Sequence, residues 1–328
     1  MKVNCQRDIS FKSIYTNRTF KKGLEFAADN GALFGATATL ALSMFARPVA
    51  IWLAPNTTKE NKKVACAKSI SSSVVGFLLM LGVSLPIVNS IKKIDKKPQK
   101  YLKNETINNL KDEGQALVKS KPYELATQLF KLGSAALVAV PKAFLTAVGL
   151  PIIMEHVFNK KNGEGQNKNI SFKGKGERVT HTIASVIDKK GLQKFSNKYK
   201  DSNFPMHIVA ATDILNTGAF IYYTKESKKI EERRKKALIY NTAIATGLSI
   251  LSGYIVDKLL DKPAQKFIEN FKKANKGQAN LEKQVEGIKI IKPMLILGII
   301  YYTFIPFVST YMAELADKNP KFDLEKRG

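Results

Sequence analysis

Cysteine is nearly absent from this 328-residue chain, and two residues, Cys5 and Cys66, are too few for a disulfide framework or a zinc site. Cys66, set in Val64-Ala65-Cys66-Ala67, reads as a buried thiol. The three histidines, His156, His181 and His207, are scattered, which argues against a metal cluster. Catalytic signatures are missing as well: no Walker A loop, no Gly-x-Ser-x-Gly elbow, no His-Glu-x-x-His and no Cys-x-x-Cys. Lys173-Gly174-Lys175-Gly176 is too short to frame a phosphate. No enzyme, no cofactor and no metal is expected. Acidic residues are scarce too, 27 against 53 Lys and Arg, so a net charge of +26 calls for a negative partner surface, anionic lipid headgroups or nucleic acid. Base-stacking aromatics are not interleaved with the basic stretches, which makes nucleic acid the lesser of the two. The stretch that precedes Asn30 is polar and basic with no apolar core, so no cleavable signal peptide is expected.

What the chain does contain, it says twice. Ile9-Ser10-Phe11-Lys12 returns as Ile170-Ser171-Phe172-Lys173, and Thr58 to Val64 returns as Thr224 to Ile230. The block Asp95 to Asn104 returns as Asp261 to Asn270, at the same offset as Thr58 and Thr224, and Gly114-Gln115-Ala116 is answered by Gly277-Gln278-Ala279. Ordered matches of this kind read as a tandem duplication, with repeat 1 at 1–167, repeat 2 at 168–328 and a linker in Gly163 to Gly176.

Each repeat holds three apolar segments, 30–55, 69–91 and 129–158 in the first, 204–223, 237–256 and 293–313 in the second. All are too long for strands and show no alternation, so the expected fold is all-α, two homologous three-helix repeats in a membrane-embedded bundle. The second, fifth and sixth carry no charge along their whole length and suit a hydrocarbon core about 30 Å thick; the first, third and fourth are ambiguous. Pro86, Pro141, Pro151 and Pro306 fall inside apolar segments and are expected to kink them. The layout resembles an uncharacterised family of two-repeat hydrophobic helical proteins, a resemblance that brings no function with it.

Three crossings per repeat would set the repeats upside down relative to each other. On that six-span reading one face collects 26 Lys and Arg outside the segments and the other 24, so loop charge chooses no orientation. The matched basic connectors would also fall on opposite faces, which a four-span form would avoid.

Candidate site residues follow from charge in apolar surroundings. At the offset that relates Asp95 to Asp261, Arg47 aligns with Asp213, each the one strong charge in the middle of its segment, and they are expected to pair near the midplane. Lys131, Lys142 and Lys292 are expected to reach out to the headgroups. Arg233, Arg234, Lys235 and Lys236, with Lys59, Lys62 and Lys63 in the other connector, are the candidate contacts to anionic lipid. The leading expectation is a non-enzymatic, multi-pass integral membrane protein with a structural or interaction role. An inverted-repeat transporter or channel and a soluble basic protein that binds nucleic acid or a membrane surface are the alternatives.

Overall fold

The computed structural model describes residues 12–158 and 176–318. Ile9 to Phe11, the repeated Ile170 to Lys173 and the linker up to residue 175 lie outside the described residues. Every apolar segment is helical and no strand occurs among the described residues, so the fold is all-α. Helix α1 (Lys12–Thr16) leads into α2 (Arg18–Ala41), which Asn17 caps by accepting the Phe20 N–H at 3.0 Å. A π-helical turn (Leu42–Ala46) joins α2 to α3 (Arg47–Leu53). Thr58 caps α4 (Lys59–Leu79), and a second π turn (Met80–Ser84) carries it into α5 (Leu85–Lys96). After the short α6 (Pro98–Tyr101) and α7 (Asn104–Asn109), α8 (Lys121–Ile153) ends in a third π turn, Met154–Phe158. The rest follows as α9 (Gly176–Ile187), α10 (Lys190–Tyr199), α11 (Phe204–Glu226), α12 (Glu232–Ala274) and α13 (Leu281–Ile299). A fourth π turn (Ile300–Phe304) leads into α14 (Ile305–Lys318).

Three of the π turns have a cause that is visible in the sequence. Pro48, Pro86 and Pro306 each stand just past one, and the carbonyl four positions before each ring, on Met44, Gly82 and Tyr302, lies inside the widened turn. In an α-helix that carbonyl would clash with the ring and lose its donor. Widening the turn removes the conflict, so at all three the chain answers with a π turn. Pro141 and Pro151 stay inside α8. A break that proline did not signal occurs at Asn30 in α2 (φ −122°, ψ 27°).

Side-chain contacts fix the direction of each rod. Ser69 donates to the Ser43 carbonyl (2.9 Å) and Lys92 to that of Asp29 (3.0 Å), so α4–α5 runs antiparallel to α2–α3. Ser71 donates to the Thr146 carbonyl (3.0 Å) and Tyr123 to Asp95 (2.8 Å), so α8 runs antiparallel to α4–α5. In the second half Thr217 meets Thr246 at 2.6 Å and Asn241 donates to Thr310 at 3.1 Å, and the same alternation results.

Across the halves, α11 lies parallel on α8, from the Lys121–Asp201 ion pair (2.5 Å) at one end to the Phe144–Tyr223 ring contact (5.2 Å) towards the other. In the same way α13 lies parallel on α2, with Gln284 donating to Glu25 at 2.7 Å. Each half thus rests its first long helix on the third helix of the other. The middle helices α4 and α12 lie side by side, with Arg234 pairing with Glu60 at 3.3 Å at the connector end and Lys68 donating to Thr242 at 2.5 Å further along.

Both halves therefore point the same way, and the inverted arrangement expected from three crossings per repeat is corrected. The register differs as well. Helix α3 ends at Leu53 and α11 at Glu226, and α4 starts at Lys59 and α12 at Glu232, a shift of 173. The blocks matched at 166 do not share local structure: the first breaks at Lys97 (φ −141°, ψ 65°), whereas Asp261 to Asn270 stays within α12. Gly114 and Gly277, which open the two Gly-Gln-Ala triplets, do agree, both left-handed with φ of 72° and 87°.

At one end of the bundle lie two small lobes. Ile94, Tyr123 and Ile187 centre the first, and Leu24, Phe271 and Val285 the second. At the other end lie the connectors 54–58 and 227–231. Between the ends the exterior is apolar, with Leu137 78%, Phe45 71%, Ile299 66% and Leu251 61% exposed. Among the described residues four helical stretches, Leu33–Leu53, Lys59–Lys96, Lys121–Phe158 and Arg234–Ile255, are by length and composition apolar enough to cross a membrane. The sixth segment includes residues 293–297, whose side chains lie outside the description.

At the connector end Glu314, 3% exposed, accepts hydrogen bonds from Asn61 (2.8 Å), the Thr58 N–H (3.3 Å) and Lys318 (3.1 Å), clamping α14 to the start of α4. Burial opposes its ionisation, but the hydrogen bonds from Asn61, Lys318 and Thr58 outweigh it and hold the carboxyl below its ordinary value of 4.5. A depressed carboxyl contributes stability in full above that value and loses it as pH falls through the folded one. The melting temperature of the detergent-solubilised protein is expected to fall on acidification below about pH 4.5, with a shallower slope in Glu314→Gln. Equal slopes in the two proteins would remove Glu314 as a source of the acid sensitivity.

Candidate functional site

Polar residues recur at helical spacing inside the apolar segments. Asp213, Asn216, Thr217 and Phe220 form one stripe on α11, and Asn241, Thr242, Ala245, Thr246 and Ser249 another on α12. Residues three and four apart share a helix face, so each stripe points one way. Both turn inward, where they meet Lys68, Ser69 and Ser72 of α4, Lys142 and Thr146 of α8, Arg47 of α3, Tyr301 and Thr310. Together they line a cavity of 250 Å³ at the centre of the bundle. At about 30 Å³ per water, that is room for roughly eight water molecules or a small polar solute.

Much of the wall is held in place by its own hydrogen bonds. Thr242 donates to the Leu238 carbonyl (2.6 Å) while accepting from Lys68, and Tyr301 donates to the Ser249 carbonyl at 2.8 Å. The Lys68 ammonium also stands 4.8 Å from the Phe220 ring centre, which adds a cation–π contact. Two polar atoms in the wall, Thr146 Oγ1 and Asn216 Oδ1, are buried with no hydrogen-bond partner in the protein. Buried polar atoms are normally satisfied, so these two leave capacity for water or a ligand.

The electrostatics are lopsided, with Arg47, Lys68 and Lys142 facing a single acid, Asp213. All four are half-buried. Asp213 is within electrostatic reach of Lys142, and Arg47 acts on both lysines as a like charge. Tyr302 and Cys66 also lie within electrostatic reach of Arg47. The cavity therefore brings Arg47 and Asp213 together without making either the partner of the other. At the shift of 173, Arg47 corresponds to Phe220.

The remaining expected site residues fare unevenly. Lys142 turns into the cavity rather than out to headgroups, and Lys68, its companion, is absent from the expected set. The signal that could have found both is an i,i+4 pairing with a hydroxyl, Lys68 with Ser72 and Lys142 with Thr146. Among the connector cations Lys59 is exposed. Lys62 donates to the Trp52 carbonyl at 2.9 Å, and Lys63 pairs with Glu60 at 3.3 Å. Arg234 bridges Glu60 and Glu231 (3.0 Å), while Lys235 is buried between Glu232 and the Lys225 carbonyl. Lys236 is half-buried, and the side chain of Arg233 lies outside the described residues. Arg234 thus joins α12 to α4 and to the α11–α12 connector, and Lys235 ties α12 back to the end of α11. No protein-family model, no curated protein and no solved structure matches the chain.

Proposed function

We propose that this chain is a non-enzymatic, membrane-embedded bundle that holds a small polar solute in its central cavity and passes it across, as a carrier or channel. The observation that carries this reading is the inversion of polarity, a polar and cationic interior inside an apolar exterior. Soluble monomers rarely expose apolar patches beyond a few hundred Å², whereas lipid is a natural neighbour for Leu137, Phe45, Ile299 and Leu251. A purely structural role would account for the hydrogen-bonded Thr217, Asn241, Thr242 and Thr246 but not for three cations gathered round one cavity.

The parallel halves also give loop charge a preference. Among the described residues outside the six apolar segments, 28 Lys and Arg stand at the lobe end and 12 at the connector end. The positive-inside rule then puts the lobes on the cytoplasmic side, with their lysines against anionic headgroups.

Two measurements test the reading. The protein should stay in the pellet after an alkaline carbonate wash and leave it only in detergent. With Cys5 and Cys66 replaced by alanine, Thr246→Cys in the cavity wall should react with a small charged methanethiosulfonate, and Leu251→Cys on the outside should not. Release by carbonate, or the reverse order of reactivity, would overturn it.

A further inference from the structure

We infer that the solute is a small oxyanion of the phosphate or sulfate class, bound between Arg47, Lys68 and Lys142. The inference rests on the reading of the cavity as a solute site. Three cations and one acid leave the cavity with two formal positive charges in excess, inside a bundle that lipid or apolar side chains surround. Like charges in a medium of low dielectric repel strongly, and an anion between them relieves that repulsion. A tetrahedral dianion matches the excess in charge.

It matches the donors too. Arg47 offers a planar fork suited to two oxygens of an oxyanion, and Lys68 and Lys142 add point donors on two other helices. The unpartnered Thr146 Oγ1 can donate to a further oxygen. Asp213 has the opposite role. Its charge beside Lys142 opposes an anion, which keeps binding weak enough for release.

That opposition gives the test a sign that mere structural damage would not produce. Delipidated protein in detergent, in a buffer free of phosphate, is titrated with inorganic phosphate or sulfate while its melting temperature is followed. A saturable rise is expected with both anions and none with chloride at matched ionic strength. Arg47→Met and Lys68→Met should each weaken the apparent affinity by about tenfold or more, and Asp213→Asn should strengthen it by about tenfold. Should a cation variant fail to fold, Asp213→Asn decides alone, because it conserves shape and must shift affinity upward. Co-purified phosphorus that survives delipidation, with no response to added anion, would assign the site to a lipid headgroup and overturn the free-anion proposal. An equal response to chloride, or an unchanged response in the variants, would overturn it as well. If Thr246→Cys reacts as expected and no anion binds, only this inference falls; if Thr246→Cys is inert, the underlying reading falls with it.

Discussion

Gly287→Ala is expected to lower the stability of the protein by about 3 kcal/mol or more, at the upper end of what overpacking costs. Helix α13 lies so close on α2 that a Cβ at position 287 would fall on the Leu24 carbonyl oxygen. Backbone cannot move aside as a flexible side chain can, so α13 must lift off, and Leu24, Val285 and Ile288 lose their packing with it. Small residues that admit close backbone approach are a recurrent means of joining helices in membranes. The check is the melting temperature in detergent, with Gly247→Ala as control, since a Cβ at Gly247 meets nothing within 4 Å. In a helix interior alanine is favoured over glycine, so Gly247→Ala should be neutral or stabilising, and a loss there equal to that of Gly287→Ala would show that the Leu24 contact does not set the effect.

Single cysteines at Thr57 and Lys228, in a background without Cys5 and Cys66, are expected to be labelled by an impermeant maleimide from the same side of the membrane. A cysteine at Lys111 should be labelled from the other. The ion pair of Arg234 with Glu60 holds the two connectors at one end, and Lys111 belongs to a lobe at the opposite end. The outcome is all or none for each site. Labelling of Thr57 and Lys228 from opposite faces would show that the halves enter the bilayer inverted. There is a physical reason to make this measurement: Phe158 packs at the connector end and Gly176 opens α9 at the lobe end. The sequence between them includes Lys160, Lys161, Lys168, Lys173 and Lys175, a composition that hydrocarbon does not accommodate, so it stands against a membrane-embedded bundle with parallel halves, and labelling from opposite faces would overturn the proposed placement of both lobes on one side.

Much of the fold was legible from the pattern of apolar residues. All six segments are helices because apolar runs of their length exceed any strand; of the four prolines expected to distort them, Pro86 and Pro306 stand at widened turns, whereas Pro141 and Pro151 stay inside α8. The direction of the second half was not legible. Parity of crossings assumes that the chain enters each repeat where it left the last, and α9 and α10 instead start the second half back at the lobe end. The site was half legible. Arg47 and Asp213 stand out as charges in apolar runs, whereas Lys68 sits at the edge of a basic connector and reads as one solvated lysine among many. Only the turn of α4 shows that its ammonium faces Thr242 and Phe220. The shift of 166 came from residue identities that the two halves place in different local structure, the break at Lys97 in one and the body of α12 in the other, so identity alone did not give the structural register.

The exchange of first helices between the halves makes neither half complete alone. Helix α2 finds its main neighbour, α13, at the far end of the chain, and α11 finds α8 in the preceding half. Released from the other half, each three-helix unit would show lipid or water the faces that now bury Leu24 and Phe220. Two half-length chains made separately would thus have to find one another to become stable, in the manner of an intertwined dimer. The covalent link between them works as a concentration device, turning a meeting of two molecules into the folding of one.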